Sequence, residues 1–355
     1  MNCLFICRAQ YENLGDLLIN KLLVDELCKY GKVYIDSYNI PANFLEPLLD
    51  NDNVIDVYGE YGVTSKKGKL SQLQMAFFCK KKNIRIITDS PGPLLSTKIS
   101  GVNVVSGKLR NLIYHAVGCR MLGIGKCFSS FISKKVPVNK IHADFYYVRS
   151  NESVTYLREQ LGENKVKYIP DLCFLLKRNH QTVKKKNIAI FDIRLIKNAD
   201  EKILQRCKTI IELLLQDGYK VILYYQVQRD YDTMMRLYKF IDNPNVEVRQ
   251  NIVWYNDLDF YMGKKYVFSN RLHSLLIGVA FGAYPVCLYE ESIETLKLKH
   301  VLHSSFGLDL PIIFSDSEMI DYHNLYEANI DKVNAKFIQN ANNCSEIISE
   351  IVGGN

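Results

Sequence analysis

Short apolar runs alternate with longer amphipathic stretches from the start of the chain. The apolar run CLFIC at 3–7 precedes LLINKLLVDELCKY at 17–30, in which leucines and a valine recur at approximately helical spacing, and KVYID at 32–36 follows. An apolar run, a helical stripe and a second apolar run predict a β-α-β unit. Further along, we predict a strand at 144–149 followed by a helix at 150–162, a helix at 108–122 and a glycine turn at 123–125.

The same alternation begins again in the second half of the chain. The predicted strands are 187–193, 219–226, 245–249, 266–269 and 284–289, with helices between them at 201–218, 229–241 and 271–282. Strands separated by helices favour parallel sheets with right-handed crossovers. The sequence therefore predicts an α/β protein.

One polar segment divides the two halves. LKRNHQTVKKKN at 176–187 has no apolar periodicity, and 355 residues exceed one domain of ordinary size. We predict two Rossmann-like domains, 1–180 and 181–355, that face each other across a cleft. Residues 324–352 show helical spacing and are predicted to form a C-terminal helical cap.

The amino-acid composition restricts the classes of protein to which this chain can belong. Hydrophobic residues make up 48% of the chain and charged residues 23%, which is typical of a globular protein. The start of the chain is predicted to be a strand and not a signal peptide, and no apolar run is long enough for a bilayer span, so we expect a cytoplasmic protein. Ten cysteines without a CxxC pair are expected to be reduced core residues and to bind no metal.

The net charge of +7 comes partly from lysine runs at 65–69, 79–83 and 183–187. Such runs usually mark solvated loops, and contact with anionic lipid or a phosphorylated substrate is the alternative. No basic stripe with interleaved aromatic residues is present, so we expect no nucleic-acid partner.

The strongest candidate site is SNRLHSLLIGVAFGAYP at 269–285, where Arg271 and His273 stand at a predicted strand-to-helix junction. Residues two apart do not share a helical face, so the pair belongs in the loop and the first turn. An arginine there can bind a carboxylate or phosphate with two hydrogen bonds, and a histidine can exchange a proton near neutral pH. A helix cap with a histidine at the edge of the core is the alternative.

A second candidate lies after the first strand, where YENLGDLLIN contains Asn13, Gly15 and Asp16. Glycine lets the backbone approach a ligand, and Asp16 suits a sugar hydroxyl or the role of a base. A helix cap by Asp16, with Gly15 serving the turn, explains the residues equally well. The glycine-bearing segments at 90–96 and 123–125 match no phosphate-binding fingerprint.

Taken together and in order, these motifs resemble the polysaccharide pyruvyl transferase family. They are NLGD, LGIG, YYVRSNESVTYLREQLG, IPDLCFLL and SNRLHSLLIGVAFGAYPVCLY, within roughly residues 10–290. The resemblance implies a fold like that of GT-B glycosyltransferases. It also implies transfer of pyruvate from phosphoenolpyruvate to a sugar as a ketal, in the biosynthesis of capsule, exopolysaccharide or another cell-surface polysaccharide. Phosphoenolpyruvate is a substrate, and no cofactor is expected.

The resemblance also implies residue roles. Arg271 and His273 match the family's Arg-x-His and would bind the donor, with His273 as the acid, and Arg194 is a second donor-binding candidate. Asn13, Gly15 and Asp16 match Asn-x-Gly-Asp on the acceptor side, with Asp16 as the base. The acceptor would be a saccharide; a lipid-linked one would bring the lysine-rich loops of the first half to the membrane.

Two other functions stay open. Family members often have a lysine near the position of Ser292, and its absence leaves a GT-B-type glycosyltransferase with a nucleotide-sugar donor as the alternative. A catalytically degraded carbohydrate-binding or assembly protein is the third possibility. The sequence does not identify the acceptor sugar, the ketal position or the oligomeric state.

Overall fold

A computed structural model describes residues 1–7, 9–37, 40–57, 72–88, 113–114, 116–125, 144–177, 185–195, 200–288, 293–307 and 322–353. The chain forms two compact units. The N-terminal unit comprises Met1–Tyr11, Asp16–Leu175 and Asn342–Asn355, and the C-terminal unit comprises Glu12–Gly15 and Leu176–Ala341.

The N-terminal unit contains a seven-stranded parallel sheet. Its strands are β1 (Cys3–Ile6), β2 (Val33–Ile35), β3 (Val54–Asp56), β4 (Arg85–Thr88), β5 (Met121–Gly125), β6 (Phe145–Val148) and β7 (Val166–Tyr168). Their spatial order is β3-β2-β1-β4-β5-β6-β7. Helices α1 (Leu14–Cys28), α2 (Ala42–Leu49), α3 (Gln72–Lys81) and α4 (Asn151–Leu161) connect described strands.

The C-terminal unit contains a five-stranded parallel sheet. Its strands are β8 (Ile188–Asp192), β9 (Lys220–Leu223), β10 (Val246–Val248), β11 (Tyr266–Ser269) and β12 (Tyr284–Cys287), in the order β10-β9-β8-β11-β12. Its helices are α5 (Asp200–Gln216), α6 (Tyr231–Ile241), α7 (Leu272–Ala280) and α8 (Ile293–Phe306). Strands β11 and β12 are buried throughout, as expected for parallel strands covered on both faces.

The C-terminal helix α9 (Tyr322–Gly353) extends over 32 residues. Its residues up to Ala341 belong to the C-terminal unit, and those from Asn342 onward belong to the N-terminal unit. Within the N-terminal unit, Ile351 O accepts a hydrogen bond of 2.7 Å from the Arg85 guanidinium. The predicted C-terminal helix is therefore present.

The predicted α/β class and parallel sheets are confirmed, but two local predictions are wrong. GIG at 123–125 lies inside β5, paired with β4 and β6, and not in a turn. The predicted helix at 108–122 also ends too late, because Met121 already begins β5. Glycines lower the strand signal, yet burial between neighbouring strands overrides that weak propensity.

The described cysteines and helices bear on two further expectations. Each cysteine in the described segments is buried and forms no disulfide there. Within those same segments, no helix combines the length and apolar character needed to cross a bilayer.

Candidate functional site

The candidate site lies where the strand order of the C-terminal sheet reverses. From β8 the chain continues outward to β9 and β10, and then returns to β11 on the other side of β8. Ser269 at the end of β11 is in register with Asp192 at the end of β8. Ligands of open α/β sheets bind outside the carboxyl ends of the strands at such a point. The residues that follow β8 and β11 are therefore placed for binding.

Arg271 occupies the N-cap position of α7, yet its side chain makes no capping hydrogen bond. Its backbone N–H donates to Ser269 Oγ over 2.8 Å. Its Nη2 donates to both carboxylate oxygens of Asp230, at 2.5 Å from Oδ1. Arg271 Nε is buried and has no hydrogen-bond partner among the described residues. The guanidinium is thus held on one side and keeps a donor unused on another.

Asp192 lies next to this ion pair and is completely buried. Ser274 of α7 hydrogen-bonds its Oδ2, whereas its Oδ1 has no partner in the described part of the chain. Burial raises the pKa of the Asp192 carboxyl to about 7, and Asp230 adds to the rise, while Arg271 and the Ser274 hydrogen bond oppose it. The site therefore contains a carboxyl group that titrates near neutral pH.

His273 lies in the first turn of α7, against the backbone of Gly15. A Cβ atom on residue 15 would come within 2.1 Å of His273 Nδ1, so no larger residue fits without a shift. The Asn13 side chain accepts a hydrogen bond of 3.0 Å from Gly15 N. The glycine is thus required by a close approach to the histidine, which the turn alone would not demand.

Residues 12–15 are fixed in the C-terminal unit by backbone contacts. Asn13 and Val227 form an antiparallel bridge, and Leu14 N donates to Gln226 O over 3.1 Å. Gln228 N donates to Glu12 O. The Asn-x-Gly part of the motif therefore belongs to the same unit as His273.

Asp16 and Arg194 occupy different settings. Asp16 belongs to the N-terminal unit, is buried, and accepts a hydrogen bond of 2.7 Å from Gln10 N through Oδ2. Its carboxylate therefore closes the loop between β1 and α1. Arg194 follows β8, and its backbone N and O each bond the Asn270 side chain at 2.7 Å. This ties Arg194 to the residue before Arg271.

The structure thus places His273 against Gly15. It also links Arg194 to Arg271, because the Asn270 side chain hydrogen-bonds the Arg194 backbone. Sequence reasoning missed Asp192, Asp230 and Asn270. Asp192 did carry a signal, because it is a carboxylate that directly ends the apolar strand IAIFD. No sequence signal pointed to Asp230, since it lies 41 residues from its partner Arg271.

Solved structures with similar folds include nucleotide-sugar enzymes. A UDP-GlcNAc 2-epimerase from Neisseria meningitidis bound to UDP-GlcNAc is 12% identical, with full coverage of both chains and a TM-score of 0.58. The UDP-GlcNAc 2-epimerase from Methanocaldococcus jannaschii is 11% identical, with 99% coverage of both chains and a TM-score of 0.59. A glycosyltransferase from Rickettsia africae ESF-5 is 13% identical, with 100% of this chain and 99% of that chain covered and a TM-score of 0.55. The GT-B-like fold is confirmed.

Sequence comparison gives two results. No curated protein matches the chain. Residues 140–292, which include Arg194, Arg271 and His273, match the family model of polysaccharide pyruvyl transferase, so the resemblance seen in the sequence motifs is confirmed over this segment.

Proposed function

We propose that this protein transfers pyruvate from phosphoenolpyruvate to a sugar as a ketal, in the biosynthesis of a cell-surface polysaccharide. The observation that carries the proposal is the position of Arg271. It lies within the segment that matches the family model, and its guanidinium is held beside the point where the strand order reverses. Arginine at such a position suits a donor that carries both a phosphate and a carboxylate.

The reaction places definite demands on the site. The methylene carbon of phosphoenolpyruvate must gain a proton, and two sugar hydroxyls must form C–O bonds to the neighbouring carbon as the bond to phosphate breaks. The two hydroxyl protons are balanced by the new methyl hydrogen and by the proton taken up with the departing phosphate. Such a sequence needs a general acid, a base and cationic stabilisation of the leaving group.

Residues of the C-terminal unit supply the first and third of these groups. His273 is the proposed acid, because its imidazole stands in the first turn of α7 with Gly15 packed beside it. Arg271 is the proposed phosphate and carboxylate clamp, and Arg194 the second cation. Asn13 and Gly15 are the proposed acceptor-side residues, and Asp16 is the proposed base.

Other features of the proposal concern the acceptor and the place of action. We propose a saccharide acceptor and action in the cytoplasm, where a lipid-linked saccharide would bring the enzyme to the inner face of the membrane. Lys66, Lys67 and Lys69 are the candidate membrane contacts, and they lie outside the described residues. If reversing their charges leaves binding to anionic vesicles unchanged, membrane contact through these lysines is ruled out.

The second candidate function is a glycosyltransferase with a nucleotide-sugar donor. It is favoured by the fold shared with a glycosyltransferase and with an epimerase that binds UDP-GlcNAc, and by Ser292 at a position where the resembled family often has lysine. In that function, Arg271 and His273 would contact the donor's phosphates.

Thermal unfolding in the presence of candidate donors separates these functions. A ligand that binds only the folded protein raises the midpoint. We expect phosphoenolpyruvate to raise it, and Arg271→Ala to abolish the shift. Arg236→Ala, an exposed arginine on α6, is the matched control and should retain it. A shift with one nucleotide sugar but none with phosphoenolpyruvate would favour the glycosyltransferase, and no shift with either would favour a degraded carbohydrate-binding protein.

A further inference from the structure

A buried acid cluster lies behind the proposed donor clamp. Asp192 and Asp230 are both buried, and only one guanidinium, that of Arg271, pairs with them among the described residues. Two carboxylates beside one arginine would leave a negative charge uncompensated in a site shielded from water. One of the two carboxyl groups is therefore expected to hold a proton.

The hydrogen bonds indicate which carboxyl group holds it. Asp230 accepts from Arg271 with both oxygens and is satisfied as an anion. Asp192 Oδ2 is bonded only to a serine hydroxyl, and its Oδ1 has no partner among the described residues. A buried oxygen without a partner costs far less on a neutral carboxyl than on a carboxylate. The proton therefore belongs to Asp192.

A chain of hydroxyl groups lies beyond Asp192. Ser274 hydrogen-bonds Asp192 and also Tyr224, and the Tyr261 hydroxyl donates to the Tyr224 hydroxyl over 3.0 Å. With the proton on Asp192 Oδ1, Oδ2 still accepts from the Ser274 hydroxyl, and the Tyr224 and Tyr261 hydroxyls continue the chain. The chain brings no cation to Asp192, so the site suits a neutral carboxyl better than a carboxylate.

We propose that Asp192 is a positioning residue that holds a proton, keeps its cluster with Arg271 and Asp230 electrically neutral, and so allows Arg271 to bind an anionic donor. Loss of the proton gives the cluster one negative charge, which repels the anion. Only the identity of the donor, phosphoenolpyruvate, rests on the proposed function. Asp192 does not touch the donor in this scheme.

Several titratable groups face the cluster. Arg271 supplies the guanidinium that pairs with Asp230. Tyr224, on the segment after β9, stays neutral because burial raises its pKa well above the usual value, and Tyr261 lies beyond it. His273 stands in the first turn of the helix that Arg271 precedes, and histidine side chains in general exchange a proton near neutral pH. His273→Gln must therefore be compared with Asp192→Asn.

The first test measures anion affinity against pH. Binding of phosphoenolpyruvate and of inorganic phosphate is measured by calorimetry from about pH 5.5 to 8.5, which spans the ordinary pKa of histidine. Wild-type affinity should fall with rising pH, approaching tenfold per pH unit for a single linked proton. Asp192→Asn should lose this fall, and Asp232→Asn, at an exposed position of α6, should keep it. Equal pH dependence in the wild type and Asp192→Asn would overturn the proposal.

A second variant covers the case in which Asp192→Asn does not fold. The Ser274 hydrogen bond favours the ionised carboxylate. Ser274→Ala should therefore move the affinity decrease to higher pH, and a move to lower pH would contradict the proposal. In His273→Gln, the decrease in anion affinity that Asp192 causes should remain.

Infrared difference spectra separate this inference from the proposed function. A protonated carboxyl band that disappears on titration near neutral pH, and that Asp192→Asn lacks, is expected even if phosphoenolpyruvate is not the donor. If neither anion binds, the proposed donor is wrong, while the infrared band still decides whether Asp192 holds the proton. Absence of the band in the wild type would overturn the inference.

Discussion

Two arginine–aspartate pairs, one in each unit, are buried to nearly the same extent and have very different surroundings. In the N-terminal unit, Arg149 follows β6 and pairs with Asp171, with side chains 12% and 1% exposed. In the C-terminal unit, Arg271 follows β11 and pairs with Asp230, with side chains 13% and 4% exposed. Burial and pairing alone therefore do not distinguish them.

The surroundings do distinguish the two pairs. Asp171 Oδ1 also accepts a hydrogen bond of 3.0 Å from Cys173 N, so the first pair holds the short helix Leu172–Leu175 in place. Beside the second pair lies a further buried acid, Asp192. A buried acid with a raised pKa beside an ion pair is typical of a binding or catalytic site, whereas an isolated pair that anchors a short helix suits stability.

Replacing each arginine with alanine should have the largest effect and should show most clearly how the two pairs differ. Arg149→Ala and Arg271→Ala each leave a buried carboxylate without its partner, so each should lower the free energy of unfolding by about 3–5 kcal/mol. Only Arg271→Ala should also lose the midpoint shift caused by the donor. Urea unfolding with and without phosphoenolpyruvate measures both effects. A donor response that also disappears in folded Arg149→Ala would break the distinction between the two pairs.

Gly15→Ala should have the next largest effect. The new methyl group would overlap His273 Nδ1, and a displacement of a catalytic group by about 1 Å can lower turnover roughly 100-fold. The cost in stability should be about 1–3 kcal/mol. Gly278→Ala is the matched control, because its Cβ would overlap Val267 Cγ1 of β11 and not His273. Steady-state kinetics and urea unfolding should show equal destabilisation but a larger loss of turnover for Gly15→Ala.

Asp192→Asn should have the smallest effect on stability and the most specific pH dependence. Burial places the pKa of Asp192 at about 7 in the folded protein, above the ordinary value near 3.9 of an unfolded aspartate. The stabilisation from its proton is complete below about pH 3.9 and is lost as pH rises towards 7. The loss is at most about 1.4 kcal/mol per pH unit.

Urea unfolding at several pH values checks the direction in which the free energy of unfolding changes with pH. The free energy of unfolding of the wild type should fall relative to that of Asp192→Asn between pH 5 and 7. Asp171→Asn, which removes the partner of Arg149, should instead lower it at neutral pH. A constant difference between the wild type and Asp192→Asn across this range would show that Asp192 is not protonated in the folded state.

Much of the fold followed from apolar periodicity. The strands at 187–193, 266–269 and 284–289 were predicted within a few residues of β8, β11 and β12, because buried parallel strands are continuous apolar runs. GIG at 123–125 was misread because glycine favours turns in isolation, and only pairing with β4 and β6 makes it a strand. Arg271 and His273 stood out because they interrupt a small, apolar sequence.

The α/β class, the strand-to-helix junction at Arg271 and the order of motifs that resembles pyruvyl transferases could all be read from the amino-acid sequence. These features depend on neighbours along the chain, where periodicity and motif spacing carry the information. Three features required the folded structure: Asp230 pairs with Arg271, Asp192 lies buried next to them, and His273 leaves room only for glycine at position 15. Those contacts join residues far apart in sequence, and their energies depend on burial and charge in three dimensions, which no local pattern records.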